Sequence, residues 1–296
     1  SEMCIRDRYD HEVITDTNGN RLIGFGRYAG LVGAYNGFRA LGLRENTFQL
    51  LKAENSADLQ ALIDQLNTIQ LPAIKILLTG SGKVAKGAKE ILDAMNIRAV
   101  SVRDYLTTNF EVPVYCKIDV LEYNKRKDGR VLTNRDFYNN PSDYESDFMR
   151  FAAVTDYFIA GHFFGDGSPF LFTKEDAKKD HFKIRLVADI SCDIDGPIAS
   201  TLRASTITDP IYGYDLQTAT EVDFKNPGAI TVMAVDNLPC ELPKDASEGF
   251  GDLFLEHVIP AFYNDDKEEV LDRAKMTSGG KLTKRYAYLQ AYLEGK

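Results

Sequence analysis

The sequence predicts an α/β protein built on a doubly wound parallel sheet, and three observations support this prediction. Short apolar runs typical of buried strands alternate with amphipathic helical patterns along the chain. One run, residues 73–79, passes through Gly80-Ser81-Gly82 directly into a helical pattern. Later runs at 157–163, 185–191 and 229–237 end in small or polar residues, as parallel strands do where they deliver ligand-binding loops.

Composition restricts the class of protein. The chain has 296 residues, of which 44% are hydrophobic and 27% charged, as expected for a globular protein of one or two domains. A net charge of −9 argues against nucleic-acid partners, and the apolar runs are too short to suggest a membrane span. The cysteines are scattered and the histidines form no metal set. We expect a cytoplasmic protein with a small-molecule substrate and no metal, and leave the oligomeric state open.

The first part of the chain indicates a hairpin and two helices. Two short strands, 12–15 and 21–25, flank an Asn-Gly turn signal. Small residues recur through a predicted helix over 27–42, which indicates close packing. Ser56 is the expected N-cap of an amphipathic helix over 56–68.

The glycine turn after residues 73–79 has the G-x-G-x-x-A pattern of Rossmann-like dinucleotide-binding loops. Gly80 permits a tight turn, Gly82 lets a pyrophosphate approach bare backbone at a helix N-terminus, and Ala85 allows close helix–sheet packing. The pattern by itself is weak evidence, and a plain strand-to-helix turn is the alternative. The flanking strand and helix favour nucleotide binding. The predicted contacts are Gly80, Ser81, Gly82, Lys83 and Val84.

Asp104 is the candidate ribose ligand. It follows a predicted strand at 99–102, about 20 residues beyond the first glycine, where a ribose-binding carboxylate is expected. The neighbouring Arg103 would instead suit a 2′-phosphate, so the choice between NAD and NADP stays open. An ordinary exposed loop acid is the alternative for Asp104. Beyond it we expect a strand over 113–120, and the charged residues 123–135 are typical of a solvated loop.

The later strand ends carry further candidates. Asp189 and Asp193 follow an apolar strand and are placed to orient a ribose hydroxyl or a substrate ammonium group. The alternative is a turn in which aspartates bond their own backbone. Asn237 is a candidate for the cofactor amide or the substrate, or else a structural turn residue. His162 also follows a strand end, although a lone histidine is more often structural.

Four segments together resemble the lysine-forming saccharopine dehydrogenases and the lysine–ketoglutarate reductase half of aminoadipic semialdehyde synthase. Residues 18–30 resemble G-x-R-V-x-A-F-G-x-x-A-G, and residues 79–88 resemble T-G-x-G-x-V-S-K-G-A. Residues 189–193 and 236–243 match D-I-S-x-D and D-N-L-P-x-x-L-P. The resemblance runs from about Tyr9 to the C-terminus. The wider superfamily is that of alanine dehydrogenase and the transhydrogenase nucleotide-binding subunit.

This resemblance implies an oxidoreductase that uses NAD or NADP to interconvert saccharopine with lysine and 2-oxoglutarate through an imine. By family position, Arg21 holds a substrate carboxylate through its planar fork. The implied substrate-side residues are Arg21, Ala160, Gly161 and His162. The implied cofactor-side residues, besides the glycine loop and Asp104, are Ile159, Asp189, Ile190, Ser191, Asp193 and Asn237. An alanine dehydrogenase-like enzyme and a non-catalytic, transhydrogenase-like nucleotide-binding module are the alternatives.

The resemblance also bears on what this chain contains. The family's acid–base pair, a Lys and a His, lies upstream of the matching region, so we expect no catalytic residue here and no turnover of saccharopine. Residues 1–8 match no element pattern and suggest a non-native scar on a truncated chain. The expected division is a substrate-domain remnant (9–42), a connecting helix (43–71), a dinucleotide-binding domain (72–245) and C-terminal helices (246–296, with helices at 247–263 and 283–294) that pack back on the substrate domain.

Overall fold

The computed structural model describes residues 7–131 and 133–295. They form two compact units, one of residues 26–243 and a smaller one that combines residues 7–25 with 244–295. The helix that follows residue 25 therefore falls in the larger unit, whereas the sequence expectation grouped residues 9–42 with a substrate domain. The assignment of the smaller unit to a substrate domain stays a prediction.

The larger unit is organised around a sheet whose order, in the described residues, is β2-β3-β1-β6-β7-β10-β8-β9. Neighbours from β2 through β10 are parallel, while β8 and β9 add an antiparallel edge that the sequence did not predict. A separate antiparallel pair joins β4 and β5. The strands are β1 (Lys75–Thr79), β2 (Arg98–Ala99), β3 (Val114–Ile118), β4 (Asn124–Arg126), β5 (Tyr144–Ser146), β6 (Tyr157–Ala160), β7 (Leu186–Asp189), β8 (Ile211–Asp215), β9 (Glu221–Val222) and β10 (Ala229–Met233).

Helices cover the sheet, and the predicted doubly wound parallel architecture is confirmed. The α-helices of the larger unit are α1 (Gly26–Glu45), α2 (Leu59–Leu66), α3 (Lys83–Ala94), α4 (Val102–Thr107), α5 (Val120–Tyr123), α6 (Asn134–Asn139), α7 (Met149–Ala152) and α8 (Lys174–Ala177). Short 3₁₀ turns form at Ala53–Asn55, Pro141–Asp143 and Leu238–Glu241.

Strand register explains how the two faces of the sheet are buried. Leu77 is level with Cys116 on one side and with Phe158 on the other, and Phe158 is level with Val187. All belong to one buried apolar cluster, in which Phe148 packs 5.0 Å from Phe158 between ring centroids. Burial of each such side chain contributes roughly 2 kcal/mol. Because side chains alternate along a strand, the neighbouring residues face the opposite layer.

Helix α1 covers that opposite layer at very close range. A Cβ on Gly37 would lie 1.8 Å from the Tyr157 hydroxyl oxygen. A Cβ on Gly30 would lie 2.0 Å from the Val84 carbonyl oxygen, and one on Gly87 would lie 2.0 Å from the Arg27 carbonyl oxygen. The backbones of α1 and α3 therefore touch directly, which only glycine permits. This contact explains the small residues of the predicted 27–42 helix and places it in the larger unit.

The smaller unit has its own apolar core. The helices of this smaller unit are α9 (Pro243–His257, from Lys244 onward), α10 (Val270–Ala274) and α11 (Gln290–Leu293). The unit also contains a hairpin of β11 (Thr277–Ser278) and β12 (Lys281–Leu282), and 3₁₀ turns at His11–Val13, Ile259–Phe262 and Lys284–Leu289. Ile14, Ile23, Val258 and Val270 lie in its core. In the described residues, no helix is both long and apolar enough to cross a membrane.

Several predicted elements differ near the N-terminus because side chains cap the backbone. The hairpin at 12–15 and 21–25 reduces to one bridge between Thr15 and Arg21, around a turn in which Asp16 accepts backbone N–H bonds. Helix α2 begins after Asp58, which accepts from the Ala61 N–H at 3.1 Å, so Ser56 is not its N-cap.

Other differences lie later in the chain. The 99–102 strand stops at Ala99, because Ser101 caps α4 instead. The charged residues 123–135 are largely structured: Arg126 binds the carboxylates of Asp128, Asp136 and Asp143, so this segment is not simply a solvated loop. The predicted helix over 247–263 ends at residue 257, and the 283–294 helix is a 3₁₀ turn before α11.

Candidate functional site

The site lies at the carboxyl ends of the central strands. Strand β1 has β3 on one side and β6 on the other, so the direction of chain progression reverses at β1. In open parallel sheets, such a switch point leaves a crevice beyond the strand ends, where ligands bind. The glycine loop and the segment Ala160–His162 both emerge there.

The glycine loop has the backbone geometry that its sequence predicts. Gly80 has φ +103°, and a Cβ there would lie 2.5 Å from the Gly161 carbonyl oxygen. Gly82 is extended and precedes α3, which has no side-chain cap. A Cβ on Gly82 would meet nothing within 4 Å. Bare backbone, open space and an uncapped helix of 12 residues together fit a pyrophosphate group.

Small residues bring the loop and β6 into backbone contact. A Cβ on Gly161 would lie 3.2 Å from both the backbone N and the Cα of Ala85. Ala85 is buried, as the close helix–sheet packing requires, while Ser81, Gly82 and Lys83 are exposed and Val84 is half-buried. Ile159 and Ala160 are fully buried within β6.

His162 carries an unsatisfied buried atom at this crevice. Its side chain is 7% exposed, and its Nδ1 lies 2.8 Å from the Thr79 hydroxyl oxygen. In the described part of the chain, its Nε2 has no hydrogen-bond partner. Burial lowers the pKa of His162 to about 4, so the ring is neutral near pH 7. A buried ring nitrogen without a hydrogen-bond partner favours a ligand that would form a hydrogen bond with it.

The Asp189 side chain is buried and hydrogen-bonded within the protein. It is 1% exposed, and its carboxylate accepts from the Thr201 hydroxyl at 2.6 Å and from the Cys192 backbone N–H at 3.0 Å. Burial raises its pKa to about 6. These bonds correspond to the turn alternative for Asp189, which therefore shapes the loop after β7. Asp193 is half-buried, and burial raises its pKa as well.

The loops after β6, β7 and β10 are bonded to one another. The Ser191 hydroxyl donates to the His162 carbonyl oxygen at 2.9 Å. The Cys192 thiol donates to the Ala234 carbonyl oxygen at 3.2 Å. The Ile190 side chain faces α1, since a Cβ on Gly33 would lie 2.5 Å from it. The structure therefore brings Ser191 to the crevice and turns Ile190 away.

The remaining predicted residues are bonded locally. Asn237 is exposed, and its side-chain oxygen accepts from the Cys240 thiol at 3.2 Å. Arg21 belongs to the smaller unit, where its guanidinium lies 2.6 Å from a Glu12 carboxylate oxygen. Among the described residues, no group of three His, Cys, Asp or Glu side chains is arranged to hold a metal ion.

Asp104 follows the edge strand β2, which pairs with β3 and not with β1. Strand β2 is the outermost parallel strand, and its last residue, Ala99, is level with Tyr115 and thus with Ile76. Strand β2 therefore ends three residues before the level of Thr79, which is roughly 10 Å along the strand direction at 3.3 Å per residue. Asp104 lies on α4 beyond this strand, where it accepts from the Ser101 hydroxyl at 2.8 Å.

Asp119 is a further acid at a strand end that the motif spacing did not single out. It directly follows β3, the strand that pairs with β1. The sequence does contain an aspartate directly after an apolar strand at this position, but the spacing from the first glycine favoured Asp104. Strand order cannot be read from that spacing.

Comparison with known proteins identifies the relatives of this chain. Alpha-aminoadipic semialdehyde synthase, mitochondrial, of Mus musculus is 26% identical over 97% of the chain, and the Arabidopsis thaliana protein is 25% identical over 95%. Saccharopine dehydrogenase [NAD(+), L-lysine-forming] of Candida glabrata is 28% identical over 88%. This chain is similar to alpha-aminoadipic semialdehyde synthases over nearly its whole length. The resemblance read from the four motifs is thereby confirmed.

The chain spans 36% of the mouse synthase, 30% of the Arabidopsis synthase and 64% of the Candida saccharopine dehydrogenase. No protein-family model matches it. Among solved structures, an L-alanine dehydrogenase superimposes with a TM-score of 0.56 at 16% identity, covering 97% of this chain and 69% of the other. This likeness confirms the Rossmann-like fold class of this chain.

Proposed function

We propose that this chain is the nucleotide-binding part of a nicotinamide-dependent oxidoreductase that interconverts saccharopine with lysine and 2-oxoglutarate. The observation that carries the proposal is the match of 97% of the chain to an alpha-aminoadipic semialdehyde synthase. The crevice beside β1 supports it, because the glycine loop and the unsatisfied His162 are suited to a dinucleotide.

The chain's own residues would divide the work of binding. The first backbone N–H groups of α3 would hold the pyrophosphate, since they point along the positive end of the helix dipole. Neutral His162 would bond the ligand through Nε2 while Thr79 fixes the other side of its ring. The bonded loops after β6 and β7 would hold that surface rigid. The nicotinamide supplies the hydride acceptor or donor.

Direct cofactor binding tests the first half of this proposal. The chain contains no tryptophan, so the fluorescence of NADH and NADPH can be followed against a low protein background. We expect saturable binding of at least one reduced dinucleotide to the 296-residue chain. Failure of both to bind at millimolar concentrations would contradict the proposal.

Substrate choice is tested by competition and by turnover. Saccharopine, alanine, and lysine with 2-oxoglutarate would each be titrated into the dinucleotide complex, and cofactor reduction or oxidation followed by absorbance. We expect saccharopine, but not alanine, to change dinucleotide affinity. A response to alanine alone would favour an alanine dehydrogenase-like enzyme. Dinucleotide binding that no amino acid affects would favour a non-catalytic module.

A further inference from the structure

The hydrogen bond between Thr79 and His162 determines which ring nitrogen of the histidine carries a proton. The Thr79 hydroxyl oxygen lies 2.8 Å from His162 Nδ1, and the Thr79 side chain is fully buried. A hydroxyl has one proton to donate, and a neutral imidazole has one N–H donor and one acceptor nitrogen. Two arrangements are therefore possible: the hydroxyl donates to Nδ1, or an Nδ1–H group donates to the hydroxyl.

The number of buried groups left without a partner separates these two arrangements. Within the described residues, the Thr79 hydroxyl has no second hydrogen-bond partner, and His162 Nε2 has none at all. If Nδ1 carried the proton, the hydroxyl proton and the Nε2 lone pair would both lack a partner. If the hydroxyl donates to Nδ1, only the Nε2–H group lacks one. Because each unpaired buried polar group costs free energy, the second arrangement is favoured.

We infer that His162 is a fixed hydrogen-bond donor, held with its proton on Nε2 by Thr79, and that it binds an acceptor oxygen of the dinucleotide. The inference rests on the proposed dinucleotide function. Thr79 is a positioning residue, because it acts on the ligand through the histidine ring. In this form Nε2 has no lone pair and Nδ1 is already bonded, so His162 would not serve as a general base.

Further contacts hold the ring at the edge of the crevice. A Cβ on Gly80 would lie 3.0 Å from the His162 Cα, so the histidine lies against the glycine loop. The Ser191 hydroxyl donates to the His162 carbonyl oxygen at 2.9 Å, and the Tyr123 ring meets the imidazole edge-on at 6.1 Å between centroids. Phe163 is 73% exposed, so the chain reaches the surface directly after His162. A ligand that enters beside the glycine loop would therefore meet a donor of set direction.

A fixed donor selects the chemistry of its partner. Phosphate and carboxamide oxygens both accept from an N–H group, and a nicotinamide dinucleotide carries both, in its pyrophosphate and in its nicotinamide. An ammonium group has only donors and would oppose the Nε2–H group. The ring is also neutral near pH 7, because burial lowers the pKa of His162 to about 4. The position would therefore take an acceptor oxygen and reject an amine.

NMR of the histidine side chains tests the form of the ring. The chain has four histidines, so isotope-labelled wild type compared with His162→Gln identifies the signals of His162. We expect a proton on Nε2 and none on Nδ1 at pH 7, and a shift of the Nε2–H signal when NADH binds. ADP would reproduce the shift if the pyrophosphate is the acceptor, and nicotinamide riboside, which has no phosphate, if the carboxamide is. A proton on Nδ1, or an Nε2–H signal that NADH binding does not move, would overturn the inference.

The affinity of threonine variants for NADH tests the positioning role. Thr79→Val removes the hydroxyl at nearly constant shape and should weaken NADH binding about fivefold to tenfold, as the loss of one hydrogen bond predicts. Thr79→Ser keeps a hydroxyl and should restore the affinity. Thr155→Val is the matched control, because Thr155 is also fully buried but lies at the amino end of β6, away from the crevice. Its hydroxyl bonds the Tyr105 hydroxyl and the Phe151 carbonyl oxygen, both at 2.8 Å, so this variant should lose stability but not affinity.

Urea unfolding and fluorescence titration measure stability and affinity separately. A folded Thr79→Val variant with wild-type affinity would contradict the positioning role, and so would equal losses of affinity in both valine variants. NADH binding without the expected ring form or affinity changes would overturn this inference alone. Binding of neither NADH nor NADPH by the wild type would overturn the proposed function as well.

Discussion

The side-chain amide of Asn36 donates to a carboxylate oxygen of Glu241 at 2.8 Å, and both residues are buried. Asn36 lies on α1, and Glu241 lies in the 3₁₀ turn after β10. One hydrogen bond from a neutral amide does not replace the lost hydration of a carboxylate. Burial accordingly raises the pKa of Glu241 to about 7.

We expect Glu241→Gln to stabilise the protein at pH 8 and to change its stability little near pH 4.5. The folded state holds the Glu241 proton up to about pH 7, whereas the unfolded chain releases it near 4.5, so wild-type stability falls as pH rises between these values. The gain at pH 8 should reach up to about 3 kcal/mol. Urea unfolding at pH 5, 6.5 and 8 measures it. Exposed Glu248→Gln is the control, and an equal effect of Glu241→Gln at every pH would contradict the prediction.

We expect His162→Gln to reduce the loss of stability in acid. The folded pKa of His162, about 4, lies below the value of 6.5 for an unperturbed ring. The unfolded state therefore binds more protons in that interval, and wild-type stability falls as pH drops from 6.5 toward 4. Between pH 7 and 4.5 the variant should lose about 2 kcal/mol less than the wild type. Exposed His181→Gln should behave as wild type, and parallel pH profiles for all three proteins would contradict this prediction.

We expect Gly87→Ala to destabilise the larger unit by about 3 kcal/mol or more, because the new methyl group would force α1 away from α3. A Cβ there would lie 2.0 Å from the Arg27 carbonyl oxygen, which belongs to rigid helix backbone. Gly251 offers a matched control within α9, where a Cβ meets nothing within 4 Å. Gly251→Ala should stabilise its helix by roughly 0.5–1 kcal/mol. Thermal unfolding measures both, and similar small effects would argue against the close helix contact.

We expect Gly82→Ser to weaken NADH binding about tenfold or more while leaving the fold as stable as, or slightly more stable than, the wild type. Serine suits the extended N-cap conformation of Gly82 and can bond the first N–H groups of α3, at a gain of a few tenths of a kcal/mol. Those are the groups that the proposed pyrophosphate needs. Fluorescence titration and urea unfolding separate the two effects. Gly251→Ser is the control and should leave the affinity for NADH unchanged. An unchanged affinity in Gly82→Ser as well would contradict phosphate binding by this loop.

Local sequence patterns determined the strand–turn–helix segment at the centre of the sheet. Strand β1, the Gly80–Gly82 turn and helix α3 are consecutive, and each depends on interactions within a few residues. An apolar run makes the strand, glycine permits a φ of +103°, and helical periodicity follows. The runs that became β6, β7 and β10 were found for the same reason. Side-chain caps shifted the boundaries, as at Asp58 and Ser101, because several nearby residues can compete to cap one helix.

The tertiary structure decided strand order and long-range partners. Periodicity predicts that a segment is a strand but not which strand lies beside it, so it could not show that β3 inserts between β1 and β2. The choice of Asp104 as candidate ribose ligand therefore rested on spacing along the chain, whereas strand pairing places Asp119 directly after the residue that accepts from the Gly80 N–H. Asn36 and Glu241, 205 residues apart, became partners only when α1 folded over the sheet. Residue identity determined the available chemistry, and strand pairing determined which groups face one ligand.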